Sequence, residues 1–187
     1  TTSEFGLNFI GAGCGNSIQN NLNSPSTNLY SNAIIGSISA TISGSTASAI
    51  IGARGVNRIV DVATLTGAVR SALGDQCIGA FGNDPLFTDV VINAGDRVGE
   101  RIWELPTFEE YKSQFSSDIA DLKNSGGSGA GAITGAMFIG SFVDEASWVH
   151  LDIAATSMTN RTKGDLVKGA TGSGVRTLIE LCRILAS

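Results

Sequence analysis

Short strand-like runs recur in the second part of the chain, at Arg58–Ala63, Arg101–Leu105 and Trp148–Ala154. Arg58–Ala63 is a mostly apolar run with β-branched residues, which is typical of a strand that is buried on both faces of a sheet. Segments with helical periodicity lie between and after them. Strands that alternate with helices predict an α/β fold with helices packed on the faces of the sheet.

Local signals place the helices. Asp84 followed by Pro85 predicts a helix start, with a capping carboxylate and proline at the first position. One face of that helix is predicted to carry Leu86, Val90, Val91, Ala94 and Val98. Thr107 and Glu110 have capping-box spacing and predict another short helix. The run Ala132–Val143 predicts a third helix. A closing helix is predicted to be lined by Val175, Leu178, Ile179, Cys182 and Leu185.

Charge is distributed unevenly along the chain. Residues 1–54 hold one acidic side chain, Glu4, and one basic side chain, Arg54, out of 17 and 12 in the whole sequence. The net charge of −5 argues against a nucleic-acid partner, because phosphate neutralisation needs clustered Lys and Arg. No apolar run approaches the length of a membrane span. Cys14, Cys77 and Cys182 lack metal-binding spacing and are expected to be buried or half-buried thiols.

Two loops that follow predicted strands are candidates for ligand binding. Thr64-Leu65-Thr66-Gly67 follows the first strand, and Ala154–Met158 follows the last. In open α/β sheets, ligands bind beyond the carboxyl ends of the strands. A structural alternative is that the two threonines only cap the next helix, and the spacing by itself favours this alternative.

The remaining polar residues favour structural roles. Asp61 and Asp152 each lie within a predicted strand, where a carboxylate more often pairs with an Arg or a backbone donor than with a metal. Asp118 and Asp121 are three residues apart. His150 is the only histidine and has apolar neighbours, so a core imidazole is expected. No Ser-His-Asp or Cys-His catalytic group is proposed, because the single histidine is expected to lie in the core.

Three blocks, Arg58–Gly67, Trp148–Ala154 and Lys168–Leu178, resemble the catalytic domain of leucyl aminopeptidases. The resemblance extends over Gly55–Leu178. It continues in order through DVATLTGA, ALG, GERIWELP, SDIADLKN, the GG…GAIT loop, WVHLDIA and KGATGSGVRTL. It implies a mixed, largely parallel sheet flanked by helices on both faces. It also implies two Zn or Mn ions, a hexameric assembly and a cytoplasmic location, or an organelle lumen after processing.

The same resemblance implies a substrate site. In the family the TLTG loop contacts the peptide main chain, and the residues after HLDIA shape the pocket for the N-terminal side chain. By position this implicates Thr64, Leu65, Thr66, Gly67 and Ala154, with Ser157 or Met158 at the pocket wall.

The metal-binding motifs of the family are missing. NTDAEGR is absent, and the neutral stretch Ile34–Ile51 stands where it is expected. In Leu7–Gly15, Phe9 stands where the family has a metal-binding Asp, and Asn23-x-Pro25-Ser26 echoes a family turn. Two divalent cations need several carboxylates close by. We therefore predict that residues 1–54 are a degenerate or truncated part of the catalytic domain and that 55–187 form its core, with no catalytic residue or metal ligand assigned.

Three functions remain open at this point. The first is a subunit without hydrolytic activity, with a structural or assembly role in a homo-oligomer or a mixed assembly with related subunits. The second is a metal-dependent aminopeptidase that releases N-terminal apolar residues, its metal-binding segment missing from this chain. The third is phosphate or nucleotide binding by the loop Gly126–Gly131. A dinucleotide fingerprint needs a strand directly before it, and Asp118–Asn124 does not resemble one.

Overall fold

The computed structural model describes residues 57–143, 145–162, 164 and 166–186, together with the backbone of 5–9 and 33–37. Its strands are β1 (Phe5–Phe9), β2 (Ala33–Ser37), β3 (Arg58–Ala63), β4 (Ile78–Gly82), β5 (Ile102–Glu104), β6 (Ser147–Asp152), β7 (Met158–Thr159) and β8 (Gly169–Ala170). Its helices are α1 (Gly67–Leu73), α2 (Pro85–Arg97), α3 (Gly131–Gly140) and α4 (Val175–Ala186), with a 3₁₀ helix at Glu109–Phe115.

Six strands form the central sheet in the order β2-β1-β3-β6-β4-β5, and β7 pairs with β8 beside it. β1 is parallel to β2 and β3, and β3 is parallel to β6. β4 is antiparallel to β6 and parallel to β5. The predicted mixed, largely parallel sheet is thus confirmed. Because Ala63 lies opposite Asp152, the carboxyl ends of β3 and β6 meet at one edge.

Each face of the sheet carries its own apolar core, as strands buried on both faces require. On one face Val60, Val149 and Leu151 pack against α2 and α4. On the other face Ile59, Phe81 and Trp148 pack against α1 and α3. Helices therefore cover both faces, as predicted. None of the described helices is long and apolar enough to cross a bilayer.

The start of α2 is confirmed, but its predicted buried face is wrong at both ends. Asp84 Oδ1 accepts hydrogen bonds from the backbone N–H groups of the next turn, and Pro85 is the first helical residue. Leu86 is 79% exposed, and Val98 lies past the helix end. The buried face instead includes Thr88, whose hydroxyl donates to Asp84 O at 2.9 Å. A polar residue is tolerated there because this bond satisfies it.

Two further helix predictions are corrected. The capping box at Thr107 and Glu110 does not form, since Thr107 Oγ1 donates to Gly82 O at 3.3 Å and the 3₁₀ helix starts without a side-chain cap. In α4 the buried residues are Thr177, Leu178 and Leu181, whereas Val175 and Ile179 are about half exposed.

The thiols differ from one another. Cys182, on the outer side of α4, is exposed, contrary to the expectation. Cys77 is half-buried, as expected, and Cys14 lies outside the described residues.

The buried face of α4 differs from the predicted one because a polar contact at the start of the helix also orients it.

That contact is the carboxylate of Glu100, which is buried at the start of α4. Its Oε1 accepts from Gly174 N at 3.1 Å, and its Oε2 accepts from the N–H and hydroxyl of Thr177 at 2.8 and 2.7 Å. The first N–H groups of a helix have no partner within the helix, and the positive end of the helix dipole favours an anion. A residue 74 positions upstream thus acts as the cap of α4 and fixes its rotation.

Replacing Glu100 with Gln should destabilise the fold. The charge is lost, and the amide N–H₂ that replaces one oxygen faces the N–H group of Gly174 or of Thr177, so we expect a loss of about 1–3 kcal/mol of unfolding free energy. Urea unfolding followed by circular dichroism measures it. Glu104→Gln, at an exposed position on β5, is the matched control and should stay within about 0.5 kcal/mol of the parent. Equal stability of the two variants would contradict the capping role.

Candidate functional site

Asp152, the last residue of β6, joins the two loops that the sequence singles out. Its side chain is fully buried. Oδ1 accepts from Leu65 N at 3.2 Å and from Ala154 N at 3.1 Å. Oδ2 accepts from Thr66 N at 3.2 Å and from Thr66 Oγ1 at 2.7 Å. A carboxylate offers about four lone-pair positions, so these four donors saturate it.

The loop after β3 also begins the next helix. Thr66 is the N-cap of α1, and its Oγ1 accepts from Val69 N at 3.1 Å while donating to Asp152. Thr66 therefore caps the helix, as the structural alternative expects, while its predicted contact with a substrate stays a prediction. Thr64 is exposed and lies outside the cap. The loop still exposes the Thr64 side chain and the backbone at Gly67, whereas Leu65 is half-buried.

A cavity of about 220 Å³ opens beside this loop. Its walls come from Leu65 and Thr66, from the end of the 3₁₀ helix, from the segment 123–127, and from α3. The helix approaches closely because Gly135 has no side chain: a Cβ there would lie 3.0 Å from Thr66 Cγ2. The aromatic residues Phe115 and Phe138 form an apolar part of the lining.

The other predicted substrate residues are distributed over two places. Ala154 lies at the same sheet edge as the TLTG loop, tied to it through Asp152. Ser157 directly precedes β7 and accepts from Thr171 N at 3.0 Å through its backbone O, and Met158 is the first residue of β7, opposite Ala170. Met158 is 64% exposed, and neither residue lines the cavity. Their predicted position at a pocket wall stays a prediction.

Asp61 and His150 form a second buried group, on neighbouring strands. Asp61 Oδ1 lies 2.5 Å from His150 Nδ1, and Oδ2 accepts from Trp148 Nε1 at 2.6 Å. The predicted core imidazole is confirmed, although Asp61 pairs with side chains and not with an Arg or the backbone. Burial opposes the charged ring, but the charge and hydrogen bond of Asp61, with a smaller effect of Asp152, raise the pKa of His150. His150 Nε2 is buried without a partner among the described residues.

The described residues do not fit a metal pair. Within residues 57–186, as far as they are described, no three His, Cys, Asp or Glu side chains are grouped closely enough to hold an ion. Asp152 and Asp61 are committed to protein donors, and Asp118 and Asp121 are exposed. Phe9, predicted at the position of a metal-binding Asp, ends β1 opposite Val62. The other predicted motif positions, in 10–32 and 38–56, lie outside the described residues.

The loop Gly126–Gly131 lacks the strand that a dinucleotide-binding loop needs before it. A dinucleotide fingerprint needs a strand that runs directly into the glycine loop. Residues 118–124 form no strand, and α3 follows an irregular segment that ends at Ala130, which has a left-handed φ of 56°.

The comparisons with known proteins decide the family. The catalytic domain of the cytosol aminopeptidase family matches residues 47–179. This chain belongs to that family. A probable cytosol aminopeptidase of Alkaliphilus metalliredigens is 50% identical over 129 residues, which are 69% of this chain and 26% of that protein. One of Roseiflexus castenholzii is 47% identical over 126 residues, 67% of this chain and 26% of that protein. The chain spans about a quarter of the length of the curated relatives it matches.

Solved structures give the same result for the family fold. A mutant of tomato leucine aminopeptidase superposes with a TM-score of 0.73 at 26% identity, over 100% of this chain and 45% of that one. The bottromycin maturation enzyme BotP in complex with Mn has a TM-score of 0.68 at 35% identity, over 70% and 29% of the two chains.

Sequence reasoning missed two parts of the site. Asp152 was recognised only as a carboxylate that needed donors, and not as the link between the loops. Its position at the end of an apolar strand was the available signal, because a buried charge must be paired. Phe115 ends the 3₁₀ helix, and Lys123 belongs to the SDIADLKN block, but neither residue carries a local signal that places it at a cavity.

Asp152→Asn tests the link between the loops. The amide presents N–H₂ to backbone N–H donors, so we expect a loss of about 2–4 kcal/mol of unfolding free energy. Hydrogen exchange should speed up first at the amides of Leu65, Thr66 and Ala154. Asp121→Asn is the matched control on an exposed loop and should change neither quantity. Uniform exchange changes across the sheet would argue against a specific anchoring role.

The raised pKa of His150 makes the free energy of unfolding depend on pH. A pKa that folding raises gives a contribution that is complete below the unfolded-state pKa of about 6.5 and is lost as pH rises through the folded-state value. The stability difference between the wild type and His150→Gln should therefore be largest below about pH 6.5 and shrink at higher pH. Urea unfolding across this range measures it.

A direct measurement is the NMR titration of the imidazole, since the chain has one histidine. A folded-state pKa below about 6.5 would contradict the prediction whether or not the variant folds.

Proposed function

We propose that this chain is an aminopeptidase-like subunit that binds the amino-terminal end of peptides and does not hydrolyse them as it stands. The proposed contacts are the TLTG loop, Thr64–Gly67, with Ala154 beside it and Ser157 and Met158 at the outer wall. The cavity next to Leu65 and Thr66 provides space for the following residue of the peptide. The family membership supports peptides as the ligand class.

One observation carries the proposal. The two carboxylates at the centre of the sheet, Asp61 and Asp152, already accept hydrogen bonds on both oxygens. Metal-assisted hydrolysis needs carboxylates with lone pairs open to cations. The first 54 residues of the sequence contain a single acidic residue, Glu4. The donor set therefore does not fit the chemistry of a metal pair.

We also propose how the chain is divided. Residues 1–54 are a degenerate or truncated segment of the catalytic domain, and residues 55–187 form its core. The subunit is proposed to act in an assembly, as a homo-oligomer (a hexamer by resemblance) or with related subunits, and to reside in the cytoplasm. The names of the relatives, cytosol aminopeptidases, support the location.

A second candidate is an active metal-dependent aminopeptidase whose metal-binding segment is missing from this chain. It is favoured by the preserved TLTG loop, which a purely structural subunit does not need. The bottromycin maturation enzyme BotP, which matches over 70% of this chain, is described in complex with Mn. Under this candidate, two Zn or Mn ions and a preference for apolar N-terminal residues are expected.

Metal content and hydrolysis separate the two candidates. The purified 187-residue chain is incubated with Zn²⁺ or Mn²⁺, dialysed, and analysed for bound metal and for hydrolysis of leucine p-nitroanilide. We expect less than one retained ion per chain and no turnover above the blank, because the open carboxylates are lacking. Tomato leucine aminopeptidase, assayed in parallel, is the control for the substrate and buffer. Two tightly held ions with turnover would establish the active candidate instead.

A further inference from the structure

The cavity beside the TLTG loop has few polar groups left for a ligand. The Thr66 hydroxyl bonds with Asp152 and Val69 N. The Thr134 hydroxyl donates to Ala130 O at 3.2 Å, within its own helix. The Ser125 hydroxyl donates to Gly126 O at 3.4 Å, so all three wall hydroxyls have partners within the protein, and the aromatic walls offer no hydrogen bonds.

Lys123 is the one charged residue among those that line this cavity. Its backbone is fixed there, because its N–H donates to Phe115 O at 2.9 Å. Its side chain is exposed, and its ammonium group has no ion-pair partner within the described part of the chain. Asn124 follows it at the same rim. The rim therefore presents a cation and a carboxamide in a cavity that the aromatic rings of Phe115 and Phe138 also line.

We infer that Lys123 receives a carboxylate of the bound peptide, so that the ligand class is short peptides with a negative group on the residue after the N-terminal one. The inference rests on the proposed function, since it assumes a peptide end at the TLTG loop. A cavity of about 220 Å³ is smaller than a typical pocket for a drug-sized ligand and suits a single residue. The chain carries a net charge of −5, so a local cation is needed to hold a carboxylate against the general repulsion.

The carboxylate can come from two sources with the same chemistry. One is the C-terminal carboxylate of a dipeptide, and the other is an acidic side chain at the second position. Three probes distinguish them: Leu-Ala, Leu-Ala amide and Leu-Asp amide. Binding of each to the 187-residue chain is measured by calorimetry and by NMR shifts at low ionic strength, where a solvent-accessible ion pair is least screened.

We expect at least one of the two carboxylate probes to bind about three- to tenfold more tightly than Leu-Ala amide, the size of a favourable exposed ion pair. Lys123→Gln should abolish this difference and leave the affinity for Leu-Ala amide unchanged. Lys168→Gln, an exposed lysine that does not line the cavity, is the matched control and should keep the difference. Raising the salt concentration should reduce the difference in the parent protein.

The outcomes separate the inference from the function beneath it. If all three probes bind equally well, or if Lys123→Gln keeps the preference, the role of Lys123 is wrong while peptide binding stands. If no probe binds, the proposed peptide site is wrong and the inference falls with it. Tighter binding of Leu-Ala or of Leu-Asp amide identifies the main-chain or the side-chain carboxylate as the source.

Discussion

The hydrogen bonds to the carboxylate of Asp152 hold together the two loops of the candidate site. Strand pairing brings the ends of β3 and β6 to one edge, but it does not fix the loops that continue from them. The buried carboxylate does so, by accepting from Leu65, Thr66 and Ala154. A buried charge with unmet lone pairs is costly, so the loops are held where they satisfy it.

The other buried carboxylates also need hydrogen-bond donors from the protein. Glu100 caps α4, and Asp61 holds Trp148 and His150 against each other across two strands. Each of these side chains has its oxygens directed at protein donors. A carboxylate used in this way has little capacity left for a cation, because the same lone pairs serve both purposes. These three carboxylates therefore act as structural anchors in a chain that belongs to the cytosol aminopeptidase family.

Several sequence predictions were confirmed because their physical causes are local. The cap of α2 depends on Asp84 and the two N–H groups that follow it, and the strand β3 depends on a short β-branched run. The errors arose where distant groups intervene. Thr107 bonds across to Gly82 and does not cap a helix, and α4 is rotated by Glu100 so that Ile179 faces outward. No pattern along the chain records such partners.

For the candidate site, the sequence by itself determined the two loops after β3 and β6, the family, and the shortage of acidic residues before residue 54. Residue identity and order are enough for these, since strand ends and motifs are local features. Only the tertiary structure decided that one carboxylate joins the two loops and that Phe115 and Lys123 close a cavity beside them. These contacts join residues tens of positions apart, and their geometry exists only once the sheet has brought the segments together.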